Sequence, residues 1–299
     1  KKSIAIKSIN CADLITSGIP TAQELFDDKC PLVSDPENPI KIGFGIDSDK
    51  APDLWSRRDA MMAMSHIFEV VEYKSVKNLN STKWTEDLDL GFTIENRVGR
   101  NIPPLGARFW EWYFKHQFKF FEMAGIHHYF SGLAMMDYYL KDSSNEVTHG
   151  HQVGSLSYQF KKGSWSSVVK GNYEAYFLSD ASRQLQLGGF QGLVGFPDFY
   201  YAGQSMAWFK LEQRYYPEWE VGTAVPVPAV FISGGNAWAH IDDMDTDDLE
   251  YAAGFGLRVG LSKSVLGIVN HVNFSWPLNG VRENGIEGGV FTLTTEANF

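Results

Sequence analysis

Five groupings of side chains in this sequence could do chemistry. Ser275 and His271 are a hydroxyl and an imidazole four residues apart, and a serine nucleophile needs its base within hydrogen-bond reach. On one extended strand that spacing separates them by roughly 13 Å, so the two cannot act together. His127, His128 and Asp137 stand at no fixed spacing from a nucleophile either. His149-Gly150-His151 supplies two imidazoles, fewer donors than a zinc site requires. His240 precedes the acidic run Asp242, Asp243, Asp245, Asp247, Asp248 and Glu250, which could gather calcium. The run lacks the turn glycine and the ordered ligand positions of a calcium loop, and reads as a solvated loop. The fifth grouping is Lys210, Glu212 and Arg214, which share one face of a strand, with Arg258 on another. These charges read either as pairs that satisfy a buried polar interior or as a lining that contacts another segment. No catalytic constellation, metal site or cofactor site emerges.

The elements that carry these residues are strands. Phe109 to Phe121 sets Trp110, Trp112, Phe114, Phe118 and Phe120 on one face, against Glu111, Tyr113, Lys115, Gln117 and Lys119 on the other. Five aromatics on one face stabilise a sheet only if that face is covered. The same alternation sets Leu88, Leu90, Phe92 and Ile94 against Asp87, Asp89, Thr93 and Glu95. It recurs in Tyr251 to Val259 and in Leu266 to Trp276. The closing run places Phe291, Leu293 and Phe299 on the face opposite Thr292, Thr294, Glu296 and Asn298, with lipid outside and polar side chains inside. Met61, Met64, Ile67, Phe68 and Val71 fit a helical period as well as a strand. Pro226 and Pro228 delete two ladder donors. They predict either a locally unzipped strand or one that resumes only at Ala229.

Composition agrees with a membrane strand protein. The chain has 299 residues, 44% hydrophobic and 14% aromatic, with 28 glycines and a mean hydropathy of -0.22. Its longest apolar stretch, Ala224 to Ile232, is interrupted by two prolines and falls short of the roughly 18 residues of a membrane helix. The expected fold is therefore all-β, a transmembrane antiparallel β-barrel of about twelve strands spanning residues 39 to 299. Short turns such as 161 to 164 and 216 to 218 would face the periplasm. Long segments such as 179 to 203, 236 to 249 and 277 to 288 would face outward, which puts both termini in the periplasm. Residues 1 to 38 read as a short periplasmic segment of a processed or trimmed chain. In an oxidising periplasm Cys11 and Cys30 would close a loop of about 20 residues, contributing roughly 3 kcal/mol; two unpaired thiols are the alternative. The net charge of -10 argues against nucleic acid as a partner.

The block from Leu187 onward resembles the carboxy-terminal half of the BamA/TamA superfamily of outer-membrane barrels, the bacterial surface antigen family. The residues that carry the resemblance are Leu187-Gly188-Gly189-Phe190-Gln191-Gly192-Leu193-Val194-Gly195-Phe196-Pro197, then Gly203 and Leu211 to Tyr215. Phe231-Ile232-Ser233-Gly234-Gly235-Asn236-Ala237-Trp238, Gly254 to Arg258 and Val272 to Leu278 complete it. The resemblance implies that the first block is an extracellular loop folded into the barrel, where it meets the strand of Phe231, Ser233 and Gly235. Lys210, Glu212, Arg214 and Arg258 would line the lumen. The family has Arg where this chain has Val194, and Asp where it has Ser233; those groups meet inside the barrel. Removing one partner of a buried pair costs about 3–5 kcal/mol, whereas replacing both is nearly neutral, so the loop is still expected to fold inward. The chain looks like a short relative without the periplasmic polypeptide-transport-associated domains.

Three functions follow as expectations. The resemblance implies insertion or translocation of proteins or lipids at the outer membrane of a Gram-negative bacterium. The charged inner faces suggest a passive pore for small solutes. A plugged barrel would have a structural or partner-binding role. Outer-membrane lipid and lipopolysaccharide, which would exchange divalent ions with the acidic loop, are the expected surroundings. The barrel-assembly machinery is the expected partner during biogenesis, reading Phe291, Leu293 and Phe299 as the terminal assembly signal.

Overall fold

Alternating polar and apolar residues form strands because each face of a pleated backbone then meets one kind of environment. The computed structural model, which describes residues 60–77, 79, 85–105, 107, 109–177, 184–189, 192–262, 268–279 and 288–297, is built almost wholly of such strands. They are β1 (Met61–Lys77), β2 (Thr85–Asn101), β3 (Glu111–Ala124), β4 (His128–Lys141), β5 (Val147–Lys162), β6 (Trp165–Phe177), β7 (Leu185–Leu187) and β8 (Tyr201–Gly203). After them come β9 (Ser205–Tyr215), β10 (Ala224–Trp238), β11 (Glu250–Leu261), β12 (Ile268–Pro277) and β13 (Val290–Ala297). No described segment is an α-helix.

Eleven strands pair in one antiparallel sheet in the order β1-β2-β3-β4-β5-β6-β9-β10-β11-β12-β13, and β7 pairs with β8 in a separate ribbon. The count of about twelve therefore stands at eleven among the described residues. The expected first strand near Ile40, the cysteines Cys11 and Cys30, and Phe299 lie outside them. The Met61 to Val71 segment is a strand, paired residue for residue with β2; cross-strand partners override the helical period that the methionines suggested.

Connections at one end of the sheet are short, as at 125–127 and 163–164, while those at the other include 178–200, 239–249 and 278–289. The sheet curls about an interior. The Gln159 side-chain amide on β5 and the Tyr216 hydroxyl after β9 both donate to the Leu79 carbonyl, at 2.8 and 3.3 Å. Lys161 Nζ likewise donates to the Lys77 carbonyl at 2.7 Å.

The outer face is apolar and aromatic. Phe114 stacks on Tyr138 with centroids 5.3 Å apart, and Phe274 meets Trp276 edge-on at 4.5 Å. Phe255, Phe291 and Leu293 are 53%, 65% and 66% exposed, and Phe255 adjoins Phe274 and Trp276, so the apolar surface there is contiguous rather than scattered.

Two positions depart from simple alternation. Leu88 and Leu90 do not continue the face of Phe92. They are buried in a cluster with Leu79 and Tyr129, whereas Phe92 packs beside Phe118 on the aromatic side. The face switches at Gly91, whose φ of 129° is closed to side chains and whose added Cβ would stand 2.0 Å from the Val70 carbonyl oxygen. Gly91→Ala is accordingly expected to cost about 2 kcal/mol, read as a lowered urea midpoint. An unchanged midpoint would show that the kink is not fixed by Gly91.

The second departure is at Pro226 and Pro228, which neither break β10 nor delay its start. The ladder to β11 runs through both, Pro226 opposite Val259 and Pro228 opposite Leu257. The ladder to β9 begins only at Ala229, opposite Arg214. The sheet is thus open beside the prolines on the β9 side alone.

Candidate functional site

The interior opposite β9 and β10 is built in two layers. Residues 184–189 and 192–203 leave the sheet with the β7–β8 ribbon and fold onto its inner face, where Leu185, Leu187, Leu193, Phe196, Met206 and Ala252 form a buried cluster. Leu193 and Phe196 are fully buried. The turn is closed by the Gly189 amide, which donates to the Phe196 carbonyl at 3.0 Å. Gly195 lies so close to β11 that a Cβ there would stand 2.4 Å from that of Ala252. Gly188 and Gly189 also have positive φ, and Pro197 is exposed at the edge of the turn.

The tip is fastened to β10. Ser233 Oγ, fully buried, donates to the Val194 carbonyl at 3.3 Å. Gly235, two residues along, leaves room for Trp208, whose Cβ would be 2.7 Å from an added Cβ. Val194 and Ser233 therefore meet each other through one neutral hydrogen bond. Ser233→Ala is expected to lower stability by about 1 kcal/mol by orphaning that carbonyl. Equilibrium unfolding in urea checks this, and an unshifted midpoint would mean that the contact contributes nothing.

Beneath the tip lies the second layer, which is ionic. Lys210, Glu212 and Arg214 recur every second residue on β9 and so share its inner face. The Glu212 carboxylate is almost completely enclosed and accepts four bonds. Oε1 takes Arg214 Nε and, at 3.1 Å, Arg258 Nε; Oε2 takes Arg258 Nη2 at 2.6 Å and Lys210 Nζ at 2.8 Å. Arg258, buried on β11, continues through Nη1 to Asn273 Oδ1 at 2.6 Å, and Asn273 donates on to Thr292 Oγ1 at 3.2 Å. Phe231 lies under this network, with Lys210 Nζ 4.8 Å and the Arg258 guanidinium 5.9 Å from its ring centroid. One network thus ties β9, β11, β12 and β13 together across the inner face.

Sequence reasoning did not find a further inner-face cluster, Asp137–His151–Glu174. The β4–β5 and β5–β6 registers bring it together. His151 Nε2 is 2.8 Å from Glu174 Oε1 and Nδ1 is 3.7 Å from Asp137 Oδ2, while the ring stacks on Tyr176. The three residues lie on three different strands, and only the register shows that they touch. Ser275 does not serve a histidine; its hydroxyl donates to the Val290 carbonyl at 3.4 Å. Among the described residues no group of His, Cys, Asp or Glu is arranged to hold a metal ion. In the acidic segment, Asp248 accepts from Trp238 Nε1 at 3.3 Å and Asp243 from the His240 amide at 3.1 Å, so these carboxylates brace their own loop. Phe291 and Leu293 stand on the exposed outer face. Compared with known proteins, the chain matches no family model and no curated protein.

Proposed function

We propose that this protein is an outer-membrane β-barrel of the BamA/TamA kind that works at its lipid-facing wall, assisting insertion or translocation of proteins or lipids. The observation that carries the reading is the seat of residues 184–189 and 192–203 on the inner face, with Leu193 and Phe196 buried and Val194 fastened to Ser233. At the opposite end Leu79, Leu88, Leu90 and Tyr129 form a second interior cluster. An interior occupied at both ends leaves little path for solutes, so activity falls to the exterior. There the aromatic outer face is suited to the hydrocarbon core of a bilayer.

One feature of the sheet suits lateral work on lipid. β10 lacks its ladder to β9 beside the paired prolines. Fewer ladder bonds make such places the easiest to open.

The test is to fold a urea-denatured outer-membrane barrel into vesicles with and without this protein in the bilayer. Several-fold faster folding in its presence is expected. Equal rates in both vesicle preparations would contradict the proposal.

A solute pore is the second reading. It is favoured by an inner-face cavity of about 800 Å³ whose lining includes Glu69, Asp89, Lys119 and Lys170.

A further inference from the structure

The ionic layer under the loop tip is unbalanced. Glu212 is the only carboxylate among the described residues in contact with Lys210, Arg214 and Arg258, and its four accepted bonds fill the acceptor sites of a carboxylate. A fourth cation, Lys170 on β6, faces the same space and forms no ion pair among the described residues. Three cations thus share one saturated carboxylate, with Lys170 beside them, in an interior where uncompensated charge is costly.

Lys170, Lys210, Arg214 and Glu212 face a cavity of about 380 Å³ beneath Gly192 and Val194. Its walls add neutral hydrogen-bonding groups, the Asn172 amide and the Thr292 and Thr294 hydroxyls, to Lys170, Lys210 and Arg214. Multiple cationic N–H donors with hydroxyl and amide groups around them match the several acceptor oxygens and double charge of a phosphate monoester better than a single carboxylate. The volume accommodates a headgroup-sized anion.

We propose that this cavity is an anion site for a phosphate group, held by Lys170, Lys210 and Arg214 under the tip of the inward loop. Glu212 sets the positions of the cations, and the bound phosphate supplies the charge that Glu212 cannot. The site requires only the folded chain, so its presence in detergent is independent of any insertion activity in a bilayer.

The experiment is titration of the full chain, in a phosphate-free neutral detergent, with inorganic phosphate followed by calorimetry. The variants Lys170→Gln, Lys210→Gln and Lys119→Gln are titrated in parallel, the last removing an inner-face lysine outside this cavity. Each is first shown to be folded by its heat-modifiable mobility. Saturable binding, weakened at least tenfold in Lys170→Gln and Lys210→Gln and kept in Lys119→Gln, is the expected result. No saturable binding, as for a cavity filled by water alone, would overturn the proposal, and so would equal affinity in all three variants. A second arm adds micellar lipid A with or without its phosphates. Competition by the phosphorylated lipid alone supports a lipid headgroup as the source; unchanged phosphate binding supports a free phosphate.

Discussion

Glu212→Gln is expected to be among the most destabilising single substitutions in the molecule. An amide of the same shape keeps the packing but cannot balance Arg214, Arg258 and Lys210, which all converge on that side chain. Breaking a buried pair from one side costs about 3–5 kcal/mol, and here one carboxylate answers to three cations. The expected readout is loss of heat-resistant gel mobility and a large fall in the urea midpoint. Lys115, whose Nζ pairs with Glu95 at 3.0 Å on a more accessible part of the inner face, provides the comparison. Lys115→Gln should cost clearly less than Glu212→Gln, because it removes one partner of a single part-buried pair whose carboxylate is 12% exposed and still reached by solvent. Equal effects at the two sites would show that the Glu212 network is solvated and carries no special weight.

Leu193→Asp is expected to have the second largest effect, and a different one. Leu193 is fully buried among Leu187, Phe196 and Met206, with no cation in that cluster. A carboxylate placed there would remain unpaired in apolar surroundings, a cost of several kcal/mol. The eleven-strand ladder does not depend on this contact. The substitution should therefore unseat the loop and leave the sheet paired. The expected pattern is new protease cleavage within residues 184–203, with strand content by circular dichroism retained. Unchanged protease resistance together with unchanged heat-resistant mobility would sink the idea that the loop is held by its apolar underside.

Much of the sheet was legible because its two faces meet different environments. The aromatic set of Trp112, Phe114, Phe118 and Phe120 against Lys115, Gln117 and Lys119 needs no tertiary information to be read as a strand with a covered face. The grouping of Lys210, Glu212 and Arg214 was legible for the same reason.

What the pattern could not convey was contact between strands. Glu212 and Arg258 lie on β9 and β11, with β10 between them, and no local rule specifies that a side chain crosses a neighbouring strand. Asp137, His151 and Glu174 likewise meet only through two registers. The face switch at Gly91 is invisible in the sequence because a positive φ leaves the order of residue types unchanged. For Pro226 and Pro228 the sequence leaves open whether the strand is locally unzipped or resumes at Ala229, since a missing donor has no address until the neighbours are known. β10 carries them where its ladder to β9 has not yet begun.

The central claim is that the inward loop closes the interior of a membrane-spanning barrel, and single-channel recording in a planar bilayer tests it most directly. The intact protein is compared with a variant lacking residues 188 to 197. The account predicts a silent intact protein and large, steady openings once the loop is removed. Steady open steps from the intact protein, unaltered by the deletion, would contradict it and leave the solute pore as the better explanation.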